Sequence, residues 1–248
     1  MIKVMVNGCT GTMGKILVNL IQEDDCLKFV CGVSRSACEG LTYKCYDSMN
    51  SVTEDVDVII DFSHHSTLDD MLEYALKTKT ALVIATTGYS DEALNKINEA
   101  SKQIPILLSY NMSLGINVLL KLVKEAAKSL SDFDIEIVER HHNRKVDAPS
   151  GTAIMISNAI KEVLPHLENN HGRQGHTGKR NKNELGIHAL RCGTIVGEHD
   201  ILFAGNQERL ELKHAAQSNT IFGNGAIAAA KFIVNQKPGY YTMCDILD

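Results

Sequence analysis

The start of the chain combines a strand pattern, a glycine-rich turn and a helix pattern, and this order restricts the fold strongly. Residues 2–6 form a short apolar run, and Gly8-Cys-Thr-Gly11-Thr-Met-Gly14 follows directly. Apolar side chains then recur at helical spacing, at Met13, Ile16, Leu17, Leu20 and Ile21. Glycine lets the backbone of such a turn approach a pyrophosphate, which the start of the following helix can bind. The pattern therefore predicts a dinucleotide-binding unit, and a tight turn without a ligand is the alternative.

Further strand patterns alternate with helix patterns as far as residue 112. The strands are predicted at residues 27–33, 56–61, 81–85 and 106–108. This alternation is typical of a parallel, doubly wound α/β sheet of the Rossmann type, whose ligand crevice lies outside the carboxyl ends of the strands. Polar turns at Gly8, Ser34, Ser63, Thr86 and Ser109 all fall at that edge. Together they predict a nucleotide site.

The pattern changes beyond residue 113. A polar, basic stretch at residues 171–183 predicts a long loop, and three strands with little helix between them follow, around 187–190, 195–203 and 210–212. Consecutive strands indicate an α+β domain built on a mixed sheet. We therefore predict a dinucleotide-binding domain at residues 1–112, completed by about 223–248, and a substrate-binding and catalytic domain at 113–222.

The densest group of chemically active side chains is Glu139-Arg-His-His-Asn-Arg-Lys-Val-Asp-Ala-Pro-Ser-Gly-Thr152. A period-two strand pattern precedes it, and a helix pattern follows it. Ser150 is suited to cap that helix, so the amides of Gly151 and Thr152 would lie at the positive end of its dipole, ready to hold an anion. The imidazoles of His141 and His142 and the ammonium of Lys145 lie beside this anion site in the sequence. They indicate acid–base chemistry on a carboxylate-bearing substrate.

Two other interpretations of this stretch are weaker. A solvated charged loop would need no helix start beside it. A metal site is disfavoured because consecutive residues on an extended chain point to opposite faces, so His141 and His142 would not easily chelate one ion. The nearby cysteines and carboxylates also lack the spacing of zinc ligands. We therefore expect no metal.

Composition excludes several classes of function. The formal net charge of −5 argues against a nucleic-acid binder, whose surface would be basic. No apolar run approaches the roughly 18–20 residues of a membrane span, and the first residues lack a signal-peptide pattern. The seven cysteines contain no Cys-x-x-Cys pair, which indicates reduced thiols in a cytoplasmic protein.

These segments together resemble the family of 4-hydroxy-tetrahydrodipicolinate reductase, also called dihydrodipicolinate reductase. The resemblance runs nearly end to end. Its most specific part is the Glu139 to Thr152 stretch described above. The other matching segments are residues 8–13, 61–63, 86–88, 111, 175–178 and 196–199.

The resemblance implies that the chain reduces the cyclic imine derived from 4-hydroxy-tetrahydrodipicolinate to tetrahydrodipicolinate, in diaminopimelate and lysine biosynthesis. It implies hydride donation by a nicotinamide and acid–base roles for His141 and Lys145. His142, Gly151 and Thr152 would bind the carboxylates of a small dicarboxylate substrate. A homo-oligomer, a tetramer formed through the sheet of the second domain, is also implied. The residues expected to bind the cofactor are Gly8, Cys9, Thr10, Gly11, Thr12, Met13, Ser34, Arg35, Ala85, Thr86, Thr87, Ser109, Tyr110, Asn111 and Met112.

The end of the second strand pattern bears on the choice between NADPH and NADH. An acidic residue there would bind the ribose hydroxyls of NADH, whereas this chain has Ser34 and Arg35. We therefore predict that NADPH is accepted and preferred, although an arginine stacked on the adenine would help both cofactors. Two departures from the family pattern, Thr12 and Asn219 where arginine is often found, remove possible cofactor contacts.

Two rival functions remain open at this point. One is another NAD(P)-dependent amino-acid dehydrogenase, of the aspartate type, which would share the cofactor architecture without needing the 139–152 stretch. The other is a regulator that binds NAD(P)H without turnover. It would keep the glycine turn but would need no acid–base group beside an anion site.

Overall fold

The computed structural model describes residues 1–36, 38 and 40–247. Two short 3-10 turns, Met49–Ser51 and His65–Thr67, accompany the strands and helices. In chain order these are β1 (Ile2–Asn7), α1 (Thr12–Gln22), β2 (Leu27–Val33), β3 (Cys45–Tyr46), β4 (Val58–Asp61), α2 (Leu68–Thr78), β5 (Ala81–Ile84), α3 (Asp91–Ser101), β6 (Pro105–Leu108), α4 (Leu114–Ser129), β7 (Asp134–His141), α5 (Gly151–Val163), β8 (Glu168–Asn170), β9 (Glu184–Arg191), β10 (Gly197–Ala204), β11 (Arg209–Ala216), α6 (Thr220–Ile233) and β12 (Gly239–Tyr241).

The described chain forms two compact units. The first contains Met1–Leu114 together with the chain from Thr220 onward, and the second contains Gly115–Asn219. The divisions therefore fall at 114/115 and 219/220, where the sequence predicted 112/113 and 222/223. The first unit is discontinuous, because the chain leaves it for the second unit and then returns.

The first unit is built on a seven-stranded parallel sheet in the order β12-β6-β5-β4-β1-β2-β3. Its central strands are apolar on both faces because helices cover both. Val4 and Val6 pack in a core with α1 and α6, whereas Met5 packs in a second core with α2 and α3. The predicted α/β class of the Rossmann type is confirmed.

The second unit is built on a five-stranded mixed sheet in the order β11-β10-β7-β9-β8. The central strand β7 runs antiparallel to β10 and parallel to β9. Ile135 and Ile137 of β7 are buried on one face and pack in a core that includes residues of α4 and α5. The predicted mixed sheet is confirmed, and the carboxyl end of its middle strand carries His141.

Several features differ from expectation. The strands β3, β8 and β12 have two, three and three residues, too few for a periodic pattern, and the sequence did not predict them. Cys38 and Cys45 are joined by a disulfide, so the prediction of reduced thiols is wrong for this pair. After Ser34 the chain folds back to place β3 beside β2, and the Cα atoms of Cys38 and Cys45 are then 5.7 Å apart. The spacing of the two cysteines in the sequence does not show this proximity.

No helix in the described ranges is long and apolar enough to cross a membrane.

Candidate active site

The turns at the carboxyl ends of five strands lie along one edge of the first sheet, as the alternating pattern predicted. Because the strands are parallel and adjacent, each turn contacts the neighbouring strand. Backbone hydrogen bonds of 2.8–3.1 Å run from Gly8 to Val33, Phe62 to Asn7, Ala85 to Asp61 and Ser109 to Ile84. The edge is therefore one connected surface.

The glycine turn has the geometry of an anion-binding helix start. Gly8 has a φ of +84°, and a Cβ at Gly14 would collide with the carbonyl oxygen of Gly8. Both positions therefore require glycine, the first for its conformation and the second for close packing of helix and turn. Gly11 caps α1 without a side-chain hydrogen bond. The first amides of α1 thus lack a side-chain cap at Gly11, as a pyrophosphate site at a helix start requires.

A cleft of about 410 Å³ opens beside this turn. Five of the predicted cofactor residues line it: Gly8, Thr10, Gly11, Ser34 and Arg35. The Thr10 and Ser34 hydroxyls are hydrogen-bonded at 2.6 Å, and the Arg35 guanidinium donates to Ser66 Oγ at 2.7 Å. The cleft is also lined by residues that no sequence pattern predicted as cofactor ligands, namely Asp47, Ser48, His64, Ser66 and Asp70. Ser63 also lines the cleft. Its position among the polar turns at the strand ends could have predicted a cofactor contact.

The other predicted cofactor residues lie nearby but do not line this cleft. The side chain of Cys9 in the glycine turn is fully buried, and Thr12 and Met13 begin α1. The remaining seven occupy the turns after β5 and β6, further along the same edge: Ala85, Thr86, Thr87, Ser109, Tyr110, Asn111 and Met112.

Asp61 organises the edge between these two groups. Its side chain is fully buried at the end of β4, and Asn7 Nδ2 donates to it at 2.8 Å. The Ser63 hydroxyl and amide also donate to it, while the Ser63 amide contacts Thr86 Oγ1 at 3.0 Å. Burial raises the pKa of Asp61, and these donors oppose the effect. In the sequence, Asp61 was notable only as part of a segment that matches the family.

In the second unit, His141 and Lys145 occupy the end of β7 and the turn that follows it. His141 is 9% exposed and lies on the buried face of the strand, the face of Ile135 and Ile137. Lys145 Nζ is 2.8 Å from Asp147 Oδ1, and this contact lowers the pKa of Asp147. The two side chains predicted to carry acid–base chemistry are therefore one buried imidazole and one ion-paired ammonium.

The predicted anion site is the start of α5. Ser150 caps the helix, with its Oγ accepting from the amide of Ala153 at 3.2 Å. Gly151 is exposed, and a Cβ there would meet no neighbouring atom within 4 Å. The start of the helix is thus open at the residue next to the cap. His142, the other predicted carboxylate ligand, has a buried Nδ1 without a hydrogen-bond partner among the described residues.

Two further residues, Arg191 and His199, belong to this cluster but were not assigned roles from the sequence. Arg191 at the end of β9 is paired in register with His141, and His199 on β10 is paired with Glu139. His199 is 3% exposed, and its Nε2 is 3.0 Å from Ser150 Oγ. The order of the strands in the sheet brings Arg191 and His199 close to the β7–α5 connection. Because they are far from that connection in the sequence, no sequence pattern indicated that they belong to the same site.

His199 makes stability depend on pH. Burial, with a smaller contribution from His141, lowers the pKa of His199 from an ordinary value of 6.5 to about 4. The folded chain therefore holds His199 neutral, and the resulting stability is complete above pH 6.5 and is lost as the pH falls towards 4. The shift corresponds to about 3 kcal/mol.

Between neutral pH and pH 4, we expect the unfolding free energy of His199→Gln to decrease less than that of the wild type, by up to about 3 kcal/mol. Urea denaturation at each pH measures this difference. His166→Gln is the control, because His166 is exposed in the same unit. Equal pH dependence in wild type and His199→Gln would contradict the assignment.

Among the described residues, no group of three or more His, Cys, Asp or Glu side chains is arranged to hold a metal ion.

Comparison with known proteins identifies the family. The profile of "Dihydrodipicolinate reductase, N-terminus" matches residues 2–112, and that of "Dihydrodipicolinate reductase, C-terminus" matches residues 115–247. The 4-hydroxy-tetrahydrodipicolinate reductase of Caldanaerobacter subterraneus subsp. tengcongensis is 52% identical over 248 residues, covering 100% of this chain and 98% of the relative. That of Clostridium tetani is 46% identical, covering 98% and 96%.

A solved structure shows the same fold. The dipicolinate-bound dihydrodipicolinate reductase from Paenisporosarcina sp. TG-14 matches with a TM-score of 0.83 at 24% identity, covering 98% of this chain and 97% of that chain. The resemblance inferred from the sequence is confirmed over both units. The chain belongs to the dihydrodipicolinate reductase family of oxidoreductases.

Proposed function

We propose that this chain uses NAD(P)H to reduce the cyclic imine derived from 4-hydroxy-tetrahydrodipicolinate to tetrahydrodipicolinate, in diaminopimelate and lysine biosynthesis. The structural observation that carries the proposal is the connection between β7 and α5. Glu139 there accepts hydrogen bonds from both His141 and the amide of Ser150. An acid–base group and an anion-binding helix start are thus held side by side, as reduction of a carboxylate-bearing ring requires.

The reaction adds a hydride and a proton to the ring. The nicotinamide supplies the hydride when the cofactor is bound, and the protein supplies the proton and holds the substrate. His141 and Lys145 carry the acid–base function. His142, Gly151 and Thr152 bind the carboxylates. The dipicolinate bound to the reductase from Paenisporosarcina supports a small dicarboxylate as the ligand.

The cofactor binds along the carboxyl edge of the first sheet. The backbone from Gly8 to Met13 would hold the pyrophosphate at the start of α1. Ser34 and Arg35 contact the adenosine end of the cofactor. The guanidinium of Arg35 makes NADPH the preferred cofactor, and NADH is also accepted. The turns from Ala85 to Thr87 and from Ser109 to Met112 hold the nicotinamide end. The connected chain of hydrogen bonds along this edge supports a single extended site.

The proposal extends to assembly and location. The second unit serves substrate binding, catalysis and oligomerisation, and its sheet joins four copies of the chain into a homotetramer. One face of that sheet packs on α4 and α5, while the other carries paired charges such as Arg140 and Asp200, 2.8 Å apart. The protein acts in the cytoplasm.

Turnover is tested by NADPH oxidation, followed through the nicotinamide absorbance, with substrate made in place by the preceding synthase. Oxidation that requires the synthase product supports the proposal. Dehydrogenation of aspartate without that product would favour the rival dehydrogenase. Cofactor binding without any turnover would favour the regulator.

Inhibition tests the carboxylate site. Pyridine-2,6-dicarboxylate is expected to compete with the substrate, because it presents two carboxylates in a similar plane. Thr152→Val removes a hydroxyl and keeps the backbone amide, so it is expected to raise the inhibition constant. A hydrogen bond to a charged group is worth roughly 1.5–3 kcal/mol, which corresponds to about ten- to hundredfold.

Thr152→Ser is the control for this change, because it keeps the hydroxyl and is expected to keep most of the affinity. Inhibition that does not depend on substrate concentration would place the inhibitor elsewhere.

A further inference from the structure

We propose that Glu139 is a positioning residue that joins the acid–base histidine to the anion-binding helix start, and that Arg191 holds it in this role. This inference rests on the proposed function of His141 and α5. It adds two residues that act through others and do not touch the substrate. The structure also specifies which nitrogen of His141 exchanges the proton.

Four hydrogen bonds occupy the carboxylate of Glu139. Oε2 receives His141 Nδ1 at 2.6 Å and Arg191 Nη1 at 2.8 Å. Oε1 receives the Ser150 amide at 3.0 Å and Arg191 Nη2 at 2.7 Å. A carboxylate has about four acceptor positions, and all are filled here. Glu139 is fully buried, so it has neither the exposure nor the capacity to bind a substrate.

The charge state of Glu139 determines the tautomer of His141. Burial alone would raise the pKa of Glu139, but the bonds from Arg191, His141 and the Ser150 amide outweigh it and lower the pKa below the ordinary value. An ionised carboxylate only accepts hydrogen bonds, so the proton between the two groups belongs to His141 Nδ1. Nε2 is then the nitrogen that exchanges a proton with the reaction.

The surroundings of Nε2 agree with this assignment. Gly197 on β10 lies beside it, and a Cβ added there would come within 3.0 Å of Nε2. The absence of a side chain at Gly197 therefore keeps space at the exchanging nitrogen. His199 on β10 packs against the His141 ring, and Arg191 on β9 shares Glu139 Oε2 with it. The next charged or titratable groups are His214 on β11 and Lys145 after β7, which lie near His199, and Asp147, which contacts Lys145 and Arg191.

The second half of the arrangement is the helix start. The bond from the Ser150 amide to Glu139 fixes the residue that caps α5, and Ser150 Oγ also contacts Ala153 and His199. Gly151 and Thr152, the proposed carboxylate ligands, follow directly. One buried anion thus sets the position of the proton-exchanging ring and of the substrate-binding amides relative to each other. Such positioning has large effects, because a displacement of about 1 Å can cost about a hundredfold in rate.

The test is Glu139→Gln, which keeps the shape and removes the charge. We expect kcat to fall about a hundredfold with little change in the KM for NADPH. We also expect the acidic limb of the kcat/KM profile to move to lower pH, because an amide stabilises a neighbouring positive charge less than a carboxylate does. An unchanged pH profile in an active Glu139→Gln enzyme would overturn the proposal.

Glu136→Gln is the matched control. Glu136 lies on the opposite face of the same strand and also contacts arginine and histidine side chains, Arg173 and His188 among them. We expect this variant to keep the wild-type pH profile, with its assembly state checked by light scattering. The same shift in both variants would show a general effect of removing charge from β7, and the proposal would fail.

A measurement on the wild type guards against a variant that does not fold. Nitrogen NMR of the histidine rings is expected to show the proton of neutral His141 on Nδ1. A proton on Nε2 would overturn the proposal. This readout needs no turnover, so it separates the failure of the positioning role from the failure of the proposed reaction, which would appear as a wild-type chain that does not oxidise NADPH.

Discussion

Replacing His141 by glutamine is expected to lower kcat for imine reduction by about 10²–10⁴-fold, the usual contribution of a general acid–base group. Glu139 holds the imidazole and also binds the amide of Ser150 at the helix start proposed to bind the substrate, so the substitution removes the proposed proton-exchanging atom from a fixed position. Cofactor affinity is expected to change little, because the residues of the glycine turn belong to the other unit. Steady-state kinetics and NADPH titration measure the two effects separately.

Lys145→Ala provides the comparison within the site. It removes a positive charge that now pairs with Asp147, so both turnover and substrate affinity are expected to fall. His166→Gln, an exposed histidine of the same unit, is the control and is expected to behave as wild type. Near-normal turnover in both the His141 and the Lys145 variants would show that the chemistry is carried elsewhere.

Replacing Arg35 by alanine is expected to reduce kcat/KM for NADPH by about ten- to hundredfold and to affect NADH far less. A charge-assisted hydrogen bond is worth roughly 1.5–3 kcal/mol, which gives this range. Arg35 lies at the end of β2 in the cleft beside the glycine turn, where its guanidinium reaches Ser66. A planar guanidinium is well suited to bind a 2′-phosphate.

The same cleft contains Asp47 and Asp70, which would repel a phosphate and could accept the ribose hydroxyls of NADH. The ratio of the kcat/KM values for NADPH and NADH therefore shows whether Arg35 or the two carboxylates determine the cofactor preference. Lys28→Ala, an exposed cation at the other end of β2, is expected to leave the ratio unchanged. Equal losses for NADPH and NADH in Arg35→Ala would show that the arginine does not read the phosphate.

The parts of the site that could be predicted from the sequence are those formed by neighbouring residues. The glycine turn was visible because a strand pattern, three glycines and a helix pattern follow one another. The turn between β7 and α5 was visible for the same reason, with Ser150 marking the start of the helix. Each of these segments is local, so its conformation follows from the order of its residues.

The parts that could not be predicted depend on how strands are ordered in a sheet. Arg191 meets Glu139 because β9 lies beside β7, and His199 meets Ser150 because β10 lies on the other side. Alternation of apolar residues shows which face of a strand is buried but does not show its neighbours. Ser66 reaches the cleft through a short 3-10 turn that has no periodic pattern.

The discontinuity of the first unit has a consequence for the order in which the protein can fold during synthesis. The second unit is one continuous stretch, so all its strands have been made before α6 appears. The core on one face of the first sheet includes Ala226, Ala230 and Ile233 of α6, and β12 completes the edge beside β6. α1 covers part of that face early in synthesis, but the part that α6 covers stays exposed until residues 220–233 have left the ribosome. The second unit can therefore form before the first unit is complete.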